Sequence, residues 1–289
     1  MKTITFIVGP TASGKTAYSI DLAKKEGAEI ISADSMQIYK YMDIGTAKPD
    51  EAERGGVPHH MIDILYPNEC FSVAQYKEMA LEKIREVSKR EKAVIVVGGT
   101  GLYINSLIYN ISYDEDSYDP KIRLELEQAS QEFGNAYLHD KLREADPEAA
   151  ERIHVNDKKR TIRALEIYMT TGVNATAKIA ASRSSPPGFE YEILGMEVER
   201  EELYKRIEKR VDIMLEAGLL DEVKKLRDMG YASGTAMQAI GYKELNAFLL
   251  GETSLDEAVE IIKTETRRYA KRQMTWFRKT EGITWITQT

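Results

Sequence analysis

Eight residues constrain this chain more than any other stretch: Gly9-Pro10-Thr11-Ala12-Ser13-Gly14-Lys15-Thr16. They fit the pattern G-x-x-x-x-G-K-[ST], follow a β-branched and aromatic run from Ile4 to Val8, and open a helix-like stretch from Lys15 to about Lys25, ending near Gly27. Strand, Gly-rich turn and helix in that order form a phosphate-binding loop. Its glycines let the backbone wrap phosphate oxygens, and its N–H groups and helix N-terminus supply partial positive charge. Lys15 adds a full charge, and the Thr16 hydroxyl can hold Mg²⁺. The loop does not say which phosphate it takes. A nucleoside triphosphate such as ATP and a prenyl diphosphate present the same terminal group, so kinase, nucleotide hydrolase and diphosphate-releasing transferase all stay open.

A second apolar run, Glu29 to Ala33, ends at Asp34, and a third, Ala93 to Val97, ends at Gly98-Gly99-Thr100-Gly101. Between them, Val73 to Arg90 carries apolar residues at helical spacing. Strands alternating with helices predict an α/β fold with a mostly parallel, P-loop NTPase-like sheet. After Ile111 the texture changes. Asp114, Glu115, Asp116 and Asp119 lie together without a basic residue, Pro120 opens a helix from Lys121 to about Phe133, and the pattern stays helical to about Ser182. Asn156 or Asp157 caps one helix that stops at Gly172. Ser184 to Gly188 reads as a linker, Tyr191 to Met196 as a strand returning to the sheet, and Arg200 to Lys279 as three or four helices. The organisation expected is a catalytic core of residues 1–111 and 191–289, helical in its C-terminal part, interrupted by an all-helical insertion at 112–190.

Charge opposes one class of partner at first sight. With 40 Lys plus Arg against 47 Asp plus Glu the net charge is −7, whereas nucleic-acid binding is driven by clustered cations. The single cysteine, Cys70, has no partner for an internal disulfide, and four scattered histidines lack finger-like zinc spacing. No apolar run approaches a membrane span or a signal-peptide core, so the expectation is a cytoplasmic protein without a membrane partner.

In a doubly wound sheet, ligands sit beyond the carboxyl ends of the strands, so Asp34 and Thr100 should face the same crevice as the phosphate loop. A carboxylate at that place could be a metal-site acid, a base accepting a proton from a nucleophile, or a cap on a turn. Gly98 to Gly101 could equally be no more than a tight strand-to-helix turn.

Six motifs follow one another in an order that resembles the bacterial tRNA dimethylallyltransferases, of the IPP transferase family. They are the phosphate loop, Asp34-Ser35-Met36-Gln37-Ile-Tyr, Met42-Asp-Ile-Gly-Thr-Ala-Lys-Pro49, Gly98-Gly-Thr-Gly-Leu-Tyr103, Asn156-Asp157-Lys158-Lys159-Arg160 with Arg163-Ala-Leu-Glu, and Gln238-Ala-Ile-Gly-Tyr242. The resemblance implies transfer of a dimethylallyl group from its diphosphate to N6 of adenosine 37 in tRNAs that read codons beginning with U. It also implies Mg²⁺ as cofactor and the tRNA anticodon stem-loop as partner; a monomer is expected. The loop, Gly9 to Thr16, then becomes a leaving-group site, with Thr16 as the metal contact, and Asp34 becomes the base that takes the N6 proton. Ser35, Met36 and Gln37 would border the acceptor base, and Thr100 would contact the nucleotide or the diphosphate. Arg123 matches a family position that contacts tRNA, and Asn156, Asp157, Lys158, Lys159, Arg160 and Arg272 would bind RNA.

The charge argument then turns on placement. Lys158, Lys159, Arg160 and Arg163 fall within six residues, and Arg267, Arg268, Lys271, Arg272, Arg278 and Lys279 form a tract without an acid. On a helix, Arg268, Lys271, Arg272 and Arg278 can share one face. An adenine N6 must leave the base stack to be alkylated. Three alternatives remain: an isopentenyltransferase acting on free adenine nucleotides, a P-loop small-molecule kinase, and a nucleotide-gated RNA-binding protein without covalent chemistry.

Overall fold

Strands β1 (Ile4–Val8) and β2 (Ala28–Ser32) are buried at every position, as expected of parallel strands covered on both faces. The structure, a computed structural model, describes residues 3–113, 118–182 and 186–287. The chain forms two compact units, Met1–Ile108 with Gly188–Thr289, and Tyr109–Pro187. In the first unit β1 and β2 join β3 (His59–His60), β4 (Ala93–Gly98), β5 (Tyr191–Glu197) and β6 (Ile283–Thr287) in a six-stranded sheet of order β3-β2-β4-β1-β5-β6. Every pairing among them is parallel. The register sets Val8 beside Gly98 and Ser32 beside Val97, so the chain leaves β1, β2 and β4 at one level.

That convergence demands close backbone approach. A Cβ on Gly98 would lie 2.1 Å from the carbonyl oxygen of Ala33, so any larger residue forces β2 and β4 apart where the site begins. Gly98→Ala is expected to destabilise the protein by about 3 kcal/mol, read as a lower urea midpoint with an unchanged slope.

Helix α1 (Lys15–Glu26) starts at Gly14 and stops at Gly27, which is left-handed with φ 62°. The short α2 (Glu51–Arg54) leads to β3. Helix α3 (Val73–Lys89) begins with a reciprocal Ser72–Gln75 cap and buries Tyr76, Ala80, Ile84 and Val87, one face of its helical pattern. Helix α4 (Gly101–Ile108) follows the turn after β4.

The second unit is helical. Helix α5 (Pro120–Ala145) is interrupted at Gly134 and runs further than the stretch expected to end at Phe133. It is followed by α6 (Pro147–Arg152), α7 (Lys158–Thr171) and α8 (Ala175–Ser182). Leu126, Leu138, Leu142, Ile162 and Leu165 form its core. Asp157, not Asn156, caps α7, and Gly172 ends it with φ 70°. The acidic residues Asp114, Glu115 and Asp116, and Ser184 of the expected linker, lie outside the described residues.

After β5 come α9 (Arg200–Glu216), α10 (Leu219–Asp228), a 3₁₀ turn at Ala236–Gln238, α11 (Tyr242–Leu249) and α12 (Leu255–Phe277). Four α-helices occupy the stretch from Arg200 to Lys279 as expected, and beyond it the chain closes on β6 at the sheet edge. Ile283-Thr-Trp-Ile-Thr287 is short and only half-buried, so its periodicity carries little signal, and it becomes a strand by pairing with β5. The two-residue β3 escapes sequence reading for the same reason. No helix of the described residues is long and apolar enough to cross a membrane.

Candidate active site

The phosphate loop adopts positive φ at Gly9 (143°), Ala12 (62°) and Gly14 (84°), a curl that turns successive backbone N–H groups inward. Helix α1 has no side-chain cap, so its first amides are left for a ligand. Ser13 is fully buried, and its hydroxyl has no hydrogen-bond partner. Such an orphaned oxygen beside free amides fits an anion with oxygens of its own.

Beyond the ends of β1, β2 and β4 lies a cavity of about 430 Å³. Thr11, Lys15 and Thr16 line it together with Asp34, Ser35, Met36 and Gln37, and so does Arg272 from α12. The structure thus brings the loop and the Asp34 motif to one space. Gly9, Pro10, Ala12, Ser13 and Gly14 shape the loop behind them. Lys15 donates to the Pro10 carbonyl. Burial of its ammonium group, with Arg210 close by, lowers its pKa to about 7, and Asp34 opposes part of that shift.

Asp34 realises one of its open readings outright. Its Oδ1 accepts from the backbone N–H of Met36 (2.8 Å) and Gln37 (3.3 Å), so the residue caps the turn that presents the next three side chains. This does not exhaust a carboxylate, which has a second oxygen. Thr100 stands behind the turn: its Oγ1 accepts from Ser35 N–H at 3.0 Å and donates to Ser35 Oγ at 3.3 Å. It is not among the cavity-lining residues, so its visible action is to brace the Asp34 turn from the end of β4.

Three cavity residues were missed in the sequence. Arg210 on α9 lines the cavity and donates to Thr11 Oγ1 at 3.5 Å. Gln273 on α12 accepts from Thr11 N–H (2.8 Å) and donates to the Gly99 carbonyl (3.0 Å), tying the phosphate loop to the turn after β4. Tyr269, one helical turn earlier, lines the cavity, and burial and then the Asp34 charge push its phenol up. Arg210 stands among charges that read as a solvated helix face, and Gln273 inside a basic tract. A signal for Gln273 and Tyr269 existed in their i, i+4 spacing.

The basic tract of α12 is in part ion-paired. Arg267 pairs with Glu208, Arg268 with Glu265 and Arg278 with Glu197. Arg272 turns into the cavity, over the Tyr269 ring at 5.8 Å.

The other candidates belong to the second unit. Arg123 pairs with Glu127 (3.4 Å) and with the buried Glu166 (3.6 Å), which also holds Arg163 at 2.7 Å. Asn156 donates its N–H to His154, and Asp157 pairs with Arg160 at 3.4 Å. Lys158 is half-buried, while Lys159 and Arg160 are exposed.

An all-parallel sheet with a phosphate-loop sequence after its first strand, and a carboxylate and cations around one cavity beyond the strand ends, define a P-loop-like α/β protein. Among such proteins the chain belongs to the IPP transferase family, whose model matches residues 37–280. It is 56% identical over 289 residues to the tRNA dimethylallyltransferase of Acetivibrio thermocellus, covering 100% of this chain and 92% of that one. To the enzyme of the same name from Bacillus licheniformis it is 52% identical, covering 99% and 91%. The crystal structure of a tRNA isopentenylpyrophosphate transferase from Bacillus halodurans superposes with a TM-score of 0.74 at 45% identity, over 99% of this chain and 90% of that one. A eukaryotic dimethylallyltransferase acting on tRNA gives a TM-score of 0.86 at 31% identity, over 99% and 74%.

Proposed function

We propose that this chain transfers the dimethylallyl group of dimethylallyl diphosphate to N6 of adenosine 37 in tRNAs that read codons beginning with U. The observation that carries this reading is the single cavity shared by the phosphate loop and Asp34. In the reaction, the bond between the allylic carbon and the diphosphate oxygen breaks, and its electron pair leaves with the diphosphate. A bond forms between that carbon and N6, and the displaced N6 proton goes to the Asp34 carboxylate. The loop amides, Lys15 and Arg210 stabilise the leaving group's charge as it develops.

The donor set suits Mg²⁺, which prefers hard oxygens and keeps several waters. Thr16 is exposed and lines the cavity, and its hydroxyl would hold the ion together with diphosphate oxygens. When bound, the ion adds charge neutralisation at the leaving group. The basic residues at the start of α7, with Arg123 and Arg272, are our candidates for tRNA contact.

Incubation with labelled dimethylallyl diphosphate, Mg²⁺ and AMP, ATP or unmodified tRNA tests the reading. Label as N6-modified adenosine in tRNA alone supports it, and label in AMP or ATP favours a free-nucleotide acceptor. Absence of label in every arm rejects prenyl transfer.

Diphosphate binding should depend on pH through Lys15. Its pKa is about 7 in the free site, and a bound polyanion raises it, so binding takes up a proton above that pH. The Lys15 contribution is therefore complete below pH 7 and falls by up to about tenfold per unit above it. Pyrophosphate titration calorimetry from about pH 6 to 9 should show this decline relative to Lys15→Arg, which stays charged throughout. Parallel profiles for the two proteins would refute it.

A further inference from the structure

The segment Asp43-Ile-Gly-Thr-Ala47 is held by a residue far away in the chain. Glu222 on α10 accepts at Oε2 from the backbone N–H of Asp43 (2.9 Å) and Ile44 (2.8 Å), and at Oε1 from Gly45 N–H (3.2 Å) and Tyr242 O–H (2.5 Å). One carboxylate thus takes three successive amides and a phenol, all charge-assisted bonds. Burial, then the Glu222 charge, push the Tyr242 phenol up, so it stays a donor. Gly45 lies so close to that ring that a Cβ there would be 2.4 Å from Tyr242. From the other side, the buried Lys48 donates to Asp43 (2.6 Å), Asp63 (2.5 Å) and the Tyr39 carbonyl (2.8 Å).

What the clamped segment does is visible at its end. The carbonyls of Thr46 and Ala47 each accept from Gln37 Nε2 at 3.3 Å, and Ser32 Oγ donates to Gln37 Oε1 at 3.1 Å. The amide nitrogen is thus turned to the two carbonyls, and the oxygen keeps one lone pair. Gln37, Gly45 and Thr46 line the cavity, whereas Glu222 does not. An amide fixed in this sense offers an acceptor to an exocyclic amino group and nothing to a carbonyl, the difference between adenine and guanine at that edge.

We propose that Glu222 is a positioning residue for the acceptor side of the cavity: through the 43–47 segment it fixes the Gln37 amide and so sets how the acceptor base is held. The inference rests on the proposed prenyl transfer. It separates the site into two parts, with the phosphate loop independent of Glu222.

The test compares Glu222→Gln and Glu222→Ala with wild type, measuring KM for a tRNA anticodon stem-loop, KM for dimethylallyl diphosphate, and the Kd of pyrophosphate. Glutamine keeps one acceptor oxygen, for Asp43 and Ile44, but loses the charge, and its NH₂ in place of Oε1 deprives both Gly45 N–H and Tyr242 O–H of their acceptor. Each lost charge-assisted bond is worth roughly tenfold. The expected result is a stem-loop KM raised about 10-fold in the glutamine variant and about 100-fold in the alanine variant, with pyrophosphate Kd unchanged within about threefold. Amide hydrogen exchange should accelerate in residues 36–48 and not in the phosphate loop, a readout that survives even if the alanine variant folds poorly. Equal losses for both substrates, or no change in the stem-loop KM of Glu222→Gln, overturn the positioning role. Wild-type protein that prenylates no RNA counts against the proposed activity, while the exchange comparison still decides whether Glu222 holds the segment.

Discussion

Asp34→Asn is expected to lower dimethylallyl transfer to tRNA by about 10²- to 10⁴-fold, the range for removing a general base, without disturbing the turn. Asparagine keeps an oxygen at the Oδ1 position, so the N–H groups of Met36 and Gln37 remain satisfied. It loses the charge that would accept the N6 proton. Because Asp34 opposes the anionic leaving group, pyrophosphate should bind Asp34→Asn at least as tightly as wild type below pH 7. The loss therefore belongs in kcat, read by single-turnover transfer of labelled dimethylallyl. Asp34→Ala removes the cap as well and should cost about 1 kcal/mol more in stability. Near-normal single-turnover transfer by the asparagine variant would leave Asp34 as a turn cap and nothing else.

Lys15→Met should reduce kcat/KM for dimethylallyl diphosphate by about 10²- to 10³-fold, comparable with the loss of one preorganised donor to a developing anion. Methionine preserves most of the stem while removing the ammonium group. Negative charge on the bridging oxygen grows as the allylic bond breaks, so the rate should fall more than the affinity for pyrophosphate. Arg210 and the loop amides still hold the ground-state anion. An affinity loss equal to the rate loss would mean that Lys15 binds the diphosphate uniformly and has no special part in the bond breaking.

The parts of the site that were legible are those carried by consecutive residues. The phosphate loop announces itself because strand, glycine turn, lysine and helix must be contiguous to cradle a phosphate. Asp34 was legible as the first polar residue after a buried strand, though its capping bonds and its proposed chemistry could not be told apart from the sequence. Arg210, Gln273 and Glu222 were not legible. Each sits on a helix whose neighbours are charged, and nothing local tells a side chain that meets water from one that meets a loop 150 or more positions away. The ion pairing of the basic tract of α12 was hidden for the same reason. Its tract contains no acids, but Glu208 and Glu197 reach it from α9 and β5.

Local pattern determined the α/β class, the place of the phosphate loop, the helical character of the middle of the chain and the carboxylate after the second strand. Each follows from periodicity or from backbone geometry over fewer than about twenty residues. Only the tertiary structure decided that Thr100 braces the Asp34 turn, that Gln273 joins the phosphate loop to the end of β4, and that Glu222 clamps the segment beneath Gln37. Those bonds link residues 65 to 262 positions apart. They form because parallel strands deliver their carboxyl ends to one level and the helices of the C-terminal part pack over them, a convergence no local pattern encodes.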